Sequence, residues 1–475
     1  MAGFHIENFG CRAARADGES IAAQLRASGH CVQQPNQADV VVVNTCSVTA
    51  EADRSARAFI RRTYRRNPQA RIVVTGCYAQ RAPEELAALP GVAAVVGNSH
   101  KALAPELVGN LLDPSQPIQS PELVQIALAS QNASHDGRNA APAASAPLQV
   151  AQVVVDERFA HSFLEEEQVA PGAQTRPNLK IQEGCSNRCS FCVIPATRGP
   201  SRSLPHAVIV RQVEGFVAAG GNELVLSGIN LGHWGRDFSR PQSFSGLVRH
   251  LLTATSLPRL RLSSVEPMDW DAELVALLRE FGGTRMARHA HLPLQSGSDA
   301  VLRRMFRRYR PWHYVAKVEA LVAAAGPALT LGADVMVGFP GETDAEFEET
   351  VELIRALPFG YLHLFPFSPR PGTPTLRAAD QVAPRLVEER MARLRALGAE
   401  KMAAHRRRFV GQILPALTLH TSAGVAARGR TTALTENFLP VELTGSYAAN
   451  LLRDVRITGF TSGGDLEAVA LPDAE

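Results

Sequence analysis

Within the first hundred residues, three strand-like runs each deliver the chain to a cysteine. They are FHIENFGC at Cys11, VVVVNTC at Cys46 and RIVVTGC at Cys77. Helix-like segments lie between them (DGESIAAQLRASG, an arginine-rich stretch over 54–66, then APEELAAL), and a fourth run, AAVVGN, follows. Strands alternating with helices specify a parallel sheet, because a parallel connection needs a crossover long enough to hold a helix. Residues 40–43 are all valine, as expected of a strand covered on both faces. In such a sheet the carboxyl ends of the strands share one edge, where open α/β sheets place ligands, so the three thiols can converge. A single buried cysteine is an ordinary small hydrophobe, but three on one edge are poorly explained by packing.

The chain has 475 residues, which predicts two to four domains. Residues 1–112 carry the rhythm just described. Over 113–175 the character changes: DPSQPIQSP and NAAPAASAP are followed by the acidic FLEEEQVAPG, a composition that reads as a flexible insert or linker. A second rhythm occupies 176–410, with candidate strands at 178–184, 223–230, 259–266, 289–295, 329–339 and 361–368. Six such units predict a partial (βα)6 barrel whose active site lies on the loops after the strands. Over 411–475, QILPALTLH, LPVELTG, DVRITGF and LEAVALP alternate as the strands of a small β-barrel do.

No apolar run reaches transmembrane length, and MAGFHIENFGC lacks the features of a signal peptide, so the expected location is the cytoplasm. There the seven cysteines are expected to be thiols, metal ligands or catalysts rather than a disulfide frame. A net charge of +3 identifies no partner by itself. Three basic clusters, at 54–66, 303–310 and 405–408, each read alone as a solvated helix face, yet together they keep a polyanionic partner in view.

IQEGCSNRCSFCVIPATRGPSRS (181–203) places Cys185, Cys189 and Cys192 as C-x3-C-x2-C directly after the first strand of the second rhythm. Three thiolates suit an iron–sulfur cluster with one iron left without a protein ligand; a three-cysteine zinc site is the alternative. The motif, including Phe191 before its third cysteine, resembles that of the radical S-adenosylmethionine (SAM) enzymes. VVVVNTCSVT, VVTGCYAQ, RLSSVEP, HLPLQSGSD, GADVMVGFPGET and FPFSPRPGTP extend the resemblance to the tRNA methylthiotransferase family over nearly the whole chain outside the insert.

That resemblance implies two 4Fe-4S clusters, one on Cys185, Cys189 and Cys192 with SAM, the other on Cys11, Cys46 and Cys77. It implies a carboxy-terminal TRAM-like module that binds tRNA; the other expectations are an electron donor and a sulfur source of unknown identity, no membrane, and a monomer. RGPSRS (198–203) and SGINLGHWG (227–235) look most like the branch that adds a methylthio group to C2 of N6-threonylcarbamoyladenosine at tRNA position 37. The alternatives are N6-isopentenyladenosine in tRNA and an aspartate of a ribosomal protein. An electron carrier or a non-catalytic iron–sulfur RNA-binding protein is the rival from another class.

Candidate cofactor contacts are Phe191, Glu223, Gly228, Asn230, Ser264, Glu266, Gln295 and Ser296, taken mainly from strand ends and flanks. Arg198 and Arg202 are expected either to hold SAM or a phosphate or to pair with Glu183. His233, His291, His313 and His363 are assigned no ligand role. Cys31 reads as an ordinary thiol. NFGCRAARADGE departs from the family pattern, which carries Asn and Gln soon after the first cysteine.

Overall fold

A computed structural model describes residues 2–115, 151–159, 161–162 and 175–472. Residues 116–150 of the expected insert and the acidic stretch 163–172 lie outside the described residues. The first sheet comprises β1 (Gly3–Asn8), β2 (Cys31–Val32), β3 (Val40–Thr45), β4 (Arg71–Gly76), β5 (Val92–Gly97) and β6 (Gln152–Val154). All pairings are parallel, in the order β2-β1-β3-β4-β5-β6. The valines of β3 serve both faces. Val40 and Val42 pack with Ile21 and Leu25, whereas Val41 and Val43 pack with Phe59 and Ile60. Those partners belong to α1 (Arg12–Ala27) and α2 (Ala50–Arg66), the second capped by the Thr49 side chain, which accepts from the Ala52 N–H at 3.2 Å.

Two strands of this sheet differ from the sequence expectation. β2 has two residues and β6 three, too few for a periodic pattern to show. β6 also lies inside the stretch read as a linker, so part of that stretch returns to complete the sheet.

The second unit holds β7 (Asn178–Glu183), β8 (Arg202–Ser203), β9 (Glu223–Gly228), β10 (Arg259–Leu262), β11 (His289–His291), β12 (Thr330–Val337) and β13 (Phe359–Pro366). One sheet runs β10-β9-β7-β8 and the next β11-β12-β13, with single bridges Leu260↔Met286 and Ser264↔His291 joining them. Except for the short antiparallel β8, the strands are the six expected ones, forming a parallel partial barrel around a continuous apolar core. The chain then closes a five-stranded barrel from β14 (Ile413–Thr418), β15 (Arg430–Thr435), β16 (Pro440–Thr444), β17 (Leu452–Phe460) and β18 (Leu466–Ala470), in the order β14-β15-β16-β18-β17. β15 was not expected. Its inward residues Thr431, Ala433 and Thr435 are small, so no hydrophobic alternation marks it.

Candidate functional site

β1, β3 and β4 are neighbours, and the register pairs Asn8 with Asn44 and Thr45 with Gly76, which levels their carboxyl ends. Cys46 and Cys77 follow β3 and β4 immediately, and Cys11 follows β1 after a short loop. Two glycines allow the close approach. Gly10 has φ of +113°, and a Cβ there would meet the Cys46 Cβ at 2.5 Å; Gly76 has φ of +98°, and its Cβ would meet the Thr45 carbonyl oxygen at 2.3 Å. Cys46 and Cys77 are buried and Cys11 is exposed, so the group is open on one side. Burial, then the nearby Cys77 and Cys11, push the Cys46 thiol up to about 12.

The second triad lies on one loop between β7 and the short helix Ile194–Arg198. The Cys192 N–H donates to the Cys189 carbonyl at 3.2 Å and the Cys185 N–H to that of Gly199 at 3.0 Å, folding the loop back on itself. Gly184 makes this possible: its φ is +71°, and a Cβ would meet the Pro200 carbonyl oxygen at 2.0 Å. Burial pushes the Cys192 thiol up to about 12 and raises Cys185 as well. Beside Cys189 lies a cavity of about 240 Å³ whose lining includes Ser186, Asn187, His233, Glu266 and Arg307.

Both triads have N–H donors aimed at sulfur. Cys77 Sγ receives Arg198 Nε at 3.2 Å and Asn98 Nδ2 at 3.4 Å. Cys185 Sγ receives the Asn187 N–H at 3.4 Å and Asn230 Nδ2 at 3.7 Å, and Cys189 Sγ receives Arg307 Nη1 at 3.5 Å. Hydrogen bonds to sulfur stabilise and tune cluster thiolates, and three thiols leave one iron of a four-iron cluster for another ligand. The residues therefore fit two such clusters. Ser227 Oγ, Asn230 Oδ1 and Gln295 Oε1 are buried without a hydrogen-bond partner, which fits a polar ligand such as SAM near the strand ends.

Arg198 ties the second unit to the first triad. Its guanidinium donates to Cys77 Sγ, to Asp17 Oδ2 at 3.2 Å and to Glu183 Oε1 at 2.8 Å. Lys101 and Lys180 complete a buried network with the same two carboxylates. The cations hold Asp17 and Glu183 below the ordinary carboxylate range against the opposing effect of burial. Arg370 ties the second unit to the Cys46 loop as well, donating to Ser47 Oγ at 3.0 Å and pairing with Asp53.

Among the expected cofactor contacts, Asn230 and Glu266 are placed beside the motif cysteines, the latter paired with Arg307. Phe191 packs edge-on against Phe339 at 6.3 Å. Gly228 lies against Gln182, whose Cβ is 3.0 Å from where a Cβ would stand. Ser264 Oγ shares a hydrogen bond with His291 Nδ1 at 3.0 Å, and Gln295 holds a positive φ of 62° beside β12.

Two residues differ from the expectation. Glu223 begins β9 and so lies at the end opposite the motif, fully buried among Arg261, Arg176 and Arg259, which hold its carboxyl down to about 2. Ser296 uses its hydroxyl within the protein, bonding Thr350 Oγ1 at 3.1 Å and accepting from the Ser298 N–H at 3.1 Å. Sequence position placed both near strand ends, but neither the correct end of β9 nor the Thr350 contact is visible without the fold.

Arg198 pairs with Glu183, whereas Arg202 donates to the Arg198 carbonyl at 2.8 Å and stacks over Phe159. Cys31 stays apart on the edge strand β2. His233 faces Asp269 at 3.6 Å, and His313 accepts from the Arg310 N–H at 3.3 Å. His291, Asp334 and His363 place their potential ligand atoms within 4.8 Å of one another on adjacent strands, a grouping that no sequence spacing revealed. Arg307 was seen only as part of a basic run, and its role beside Glu266 and Cys189 appears only when the loops meet. That run is largely consumed by ion pairs: Arg303 and Arg310 with Asp299, and Arg304 with Glu346. On α2, by contrast, Arg61, Arg65 and Arg66 are exposed with no carboxylate partner among the described residues.

Residues 3–97 match the model of the uncharacterized protein family UPF0004, and residues 179–354 that of the radical SAM superfamily. The chain is 33% identical to the Bacillus subtilis threonylcarbamoyladenosine tRNA methylthiotransferase MtaB, over 94% of this chain and 91% of that protein. Identity is 33% to the Aquifex aeolicus protein of the same name, covering 93% and 96% of the two chains. It is 30% to the Geobacter metallireducens tRNA-2-methylthio-N(6)-dimethylallyladenosine synthase, covering 96% and 95%. Among solved structures, a radical SAM methyltransferase, TsrM from Kitasatospora setae, with cobalamin and a 4Fe-4S cluster bound, shares the fold with a TM-score of 0.50 at 16% identity. The match covers 79% of this chain and 77% of that one.

Proposed function

Because the chain belongs to the radical SAM tRNA methylthiotransferase family, we propose that it transfers a methylthio group to C2 of N6-threonylcarbamoyladenosine at position 37 of tRNA. The observation that carries this reading is the presence of two three-thiol sites, each with N–H donors aimed at its sulfur, in a chain matched nearly end to end by threonylcarbamoyladenosine tRNA methylthiotransferases. Nothing in the fold favours dimethylallyladenosine over threonylcarbamoyladenosine, and the relatives of that second name are similar at comparable identity.

Cys185, Cys189 and Cys192 would hold the cluster that binds SAM, and Cys11, Cys46 and Cys77 the auxiliary one. With SAM, a 4Fe-4S cluster supplies radical chemistry at a C–H bond too weakly acidic for any side-chain base. The protein's own part is placement and shielding. Arg307, anchored by Glu266, directs positive charge at Cys189, while Arg198, anchored by Glu183 and Asp17, does so at Cys77. If Arg307 turned away it would leave Glu266 unpaired, and if Arg198 did so it would break its bonds to both Asp17 and Glu183.

The exposed Arg61, Arg65 and Arg66 of α2 and the terminal β-barrel offer surfaces for a tRNA backbone, where cations position the substrate without reading its sequence. Among the described residues no helix is long and apolar enough to cross a membrane.

The test uses anaerobically reconstituted protein, SAM, a reductant and tRNA carrying both modified adenosines, followed by mass analysis of the digested nucleosides. A gain of one CH2S unit on threonylcarbamoyladenosine is expected. The gain appearing on isopentenyladenosine instead would reassign the substrate. No gain on either would overturn the reading.

A further inference from the structure

At the amino-terminal end of the partial barrel, buried positive charge exceeds what the protein neutralises. Glu223 receives Arg261 Nε at 2.7 Å, Arg176 Nη1 at 3.2 Å and Arg259 Nη1 at 3.5 Å. The nearby Glu436, in the turn between β15 and β16, is engaged by Arg288 Nε at 2.8 Å. Arg12, the first residue of α1 and the neighbour of Cys11, brings a fifth guanidinium to this region. It lies 5.8 Å from the Phe438 ring and interacts electrostatically with Tyr361, Arg261 and Glu223. Among the described residues it makes no hydrogen bond and no ion pair. Five guanidinium groups thus share two carboxylates.

Polar nitrogens are left over too. Arg259 Nε and Arg261 Nη1 are buried without a partner, on side chains 3% and 0% exposed, and His289 Nδ1 is buried without one on a side chain 1% exposed. His289 is fixed by its other nitrogen, which shares a hydrogen bond with the Tyr361 hydroxyl at 2.8 Å, and by stacking on Phe438 at 4.3 Å. Unmet buried donors are costly, and an anion meets several at once through charge-assisted hydrogen bonds.

The anion's chemistry follows from where Arg12 stands. It is covalently next to Cys11, so it borders the place where a base would be presented to that triad. A threonylcarbamoyl group ends in a carboxylate, whereas a dimethylallyl group ends in methyls. We propose that Arg12, backed by Arg261 and His289, binds the carboxylate of the N6-threonylcarbamoyl group and thereby selects this nucleoside over uncharged ones. The proposal rests on the methylthiotransferase reading above and adds the residue that sets its substrate preference. It also gives a purpose to the departure at NFGCRAARADGE, where an arginine directly follows the first cysteine.

The experiment compares two anticodon stem-loop RNAs with the reconstituted full-length holoenzyme. One carries N6-threonylcarbamoyladenosine and the other its threoninamide counterpart, which differs by a neutral amide in place of the carboxylate. Affinity is read by fluorescence anisotropy and turnover by nucleoside mass. The wild type is expected to favour the acid by about ten- to a hundredfold in affinity and in kcat/KM. Arg12→Gln should collapse that ratio toward one, chiefly through affinity and KM, while Arg12→Lys retains most of it. Iron content and circular dichroism establish that each variant is folded.

A wild type without the preference, or an Arg12→Gln variant that keeps it, would overturn the assignment. Equal weakening of both RNAs in Arg12→Gln would also overturn it, by pointing to a backbone phosphate. A wild type that prefers the acid in binding yet transfers nothing would support this contact and sink the reaction assignment instead.

Discussion

The two cysteine triads each offer three thiols but are assembled in opposite ways. Cys185, Cys189 and Cys192 lie on one loop, closed by its own hydrogen bonds and by Gly184. Cys11, Cys46 and Cys77 come from three strands, and only the register of β1, β3 and β4 makes them neighbours. The first site is local in sequence and the second belongs to the whole sheet. A cluster placed by a loop can be re-aimed by a few residues, whereas one placed by a sheet edge moves only if the sheet does. This difference suits a partnership in which one centre activates a small molecule and the other presents a group at a fixed position. Arg198, at the end of the short helix that follows the loop, reaches from the second unit to Cys77 at the sheet edge.

Removing one thiol from each triad should separate their roles most sharply. Cys189→Ala is expected to abolish SAM cleavage and turnover while largely preserving tRNA affinity. Cys46→Ala should abolish methylthio transfer yet still cleave SAM. In each variant iron content should fall from about eight to about four per chain. SAM cleavage assays, iron analysis and tRNA binding check the pair; transfer that survives in either variant would remove the distinction between the sites.

Breaking the link comes next in size. Arg198→Ala removes two charge-assisted hydrogen bonds from a buried network in which Lys101 and Lys180 still pair with Asp17 and Glu183, a loss of about 1.5–3 kcal/mol. Thermal unfolding of metal-free protein should show the loss, and Arg198→Lys should recover part of it. An unchanged melting temperature in the alanine variant would mean that the two units do not depend on this contact.

The smallest effect is one of pH, and it tests what the sites share. Burial raises the thiols of Cys46 and Cys192 alike, each to about 12 from an ordinary value near 9. A folded-state value above the unfolded one stabilises the protonated form. The contribution is complete below about pH 9 and is lost as pH rises toward 12, by about 1.4 kcal/mol per thiol for each unit. Metal-free protein should therefore melt lower at pH 10 than at pH 8. Cys46→Ala and Cys192→Ala should each flatten that slope, and cluster-loaded protein, whose sulfurs are already ionised, should not show this thiol contribution. Equal slopes in both variants and wild type would exclude these thiols as its source.

The same contrast explains what could be read from the sequence. The motif over 181–203 was legible because its cysteines are near neighbours in the chain. The auxiliary triad was legible because the apolar runs before Cys46 and Cys77 are continuous and those cysteines stand directly after them. β2, β6 and β15 escaped because two or three residues, or an inward face of threonine and alanine, carry no hydrophobic period. Glu223 was assigned to a cofactor because it flanks a strand, but β9 turns it toward Arg261 at the far end.

The sequence by itself therefore determined the order of the α/β units, the six strands of the partial barrel and the grouping of six thiols into two triads. Those follow from patterns confined to a few consecutive residues: apolar runs, turn glycines and cysteine spacing. Tertiary structure alone decided which charges face each other: Arg198 against Cys77 and Glu183, Arg307 against Cys189 and Glu266, and Arg12 beside Tyr361 and Phe438. The physical reason is range. Hydrophobic periodicity is a local property of the chain, whereas a buried charge acquires its meaning only from the partners, or the lack of them, that folding brings from far along it.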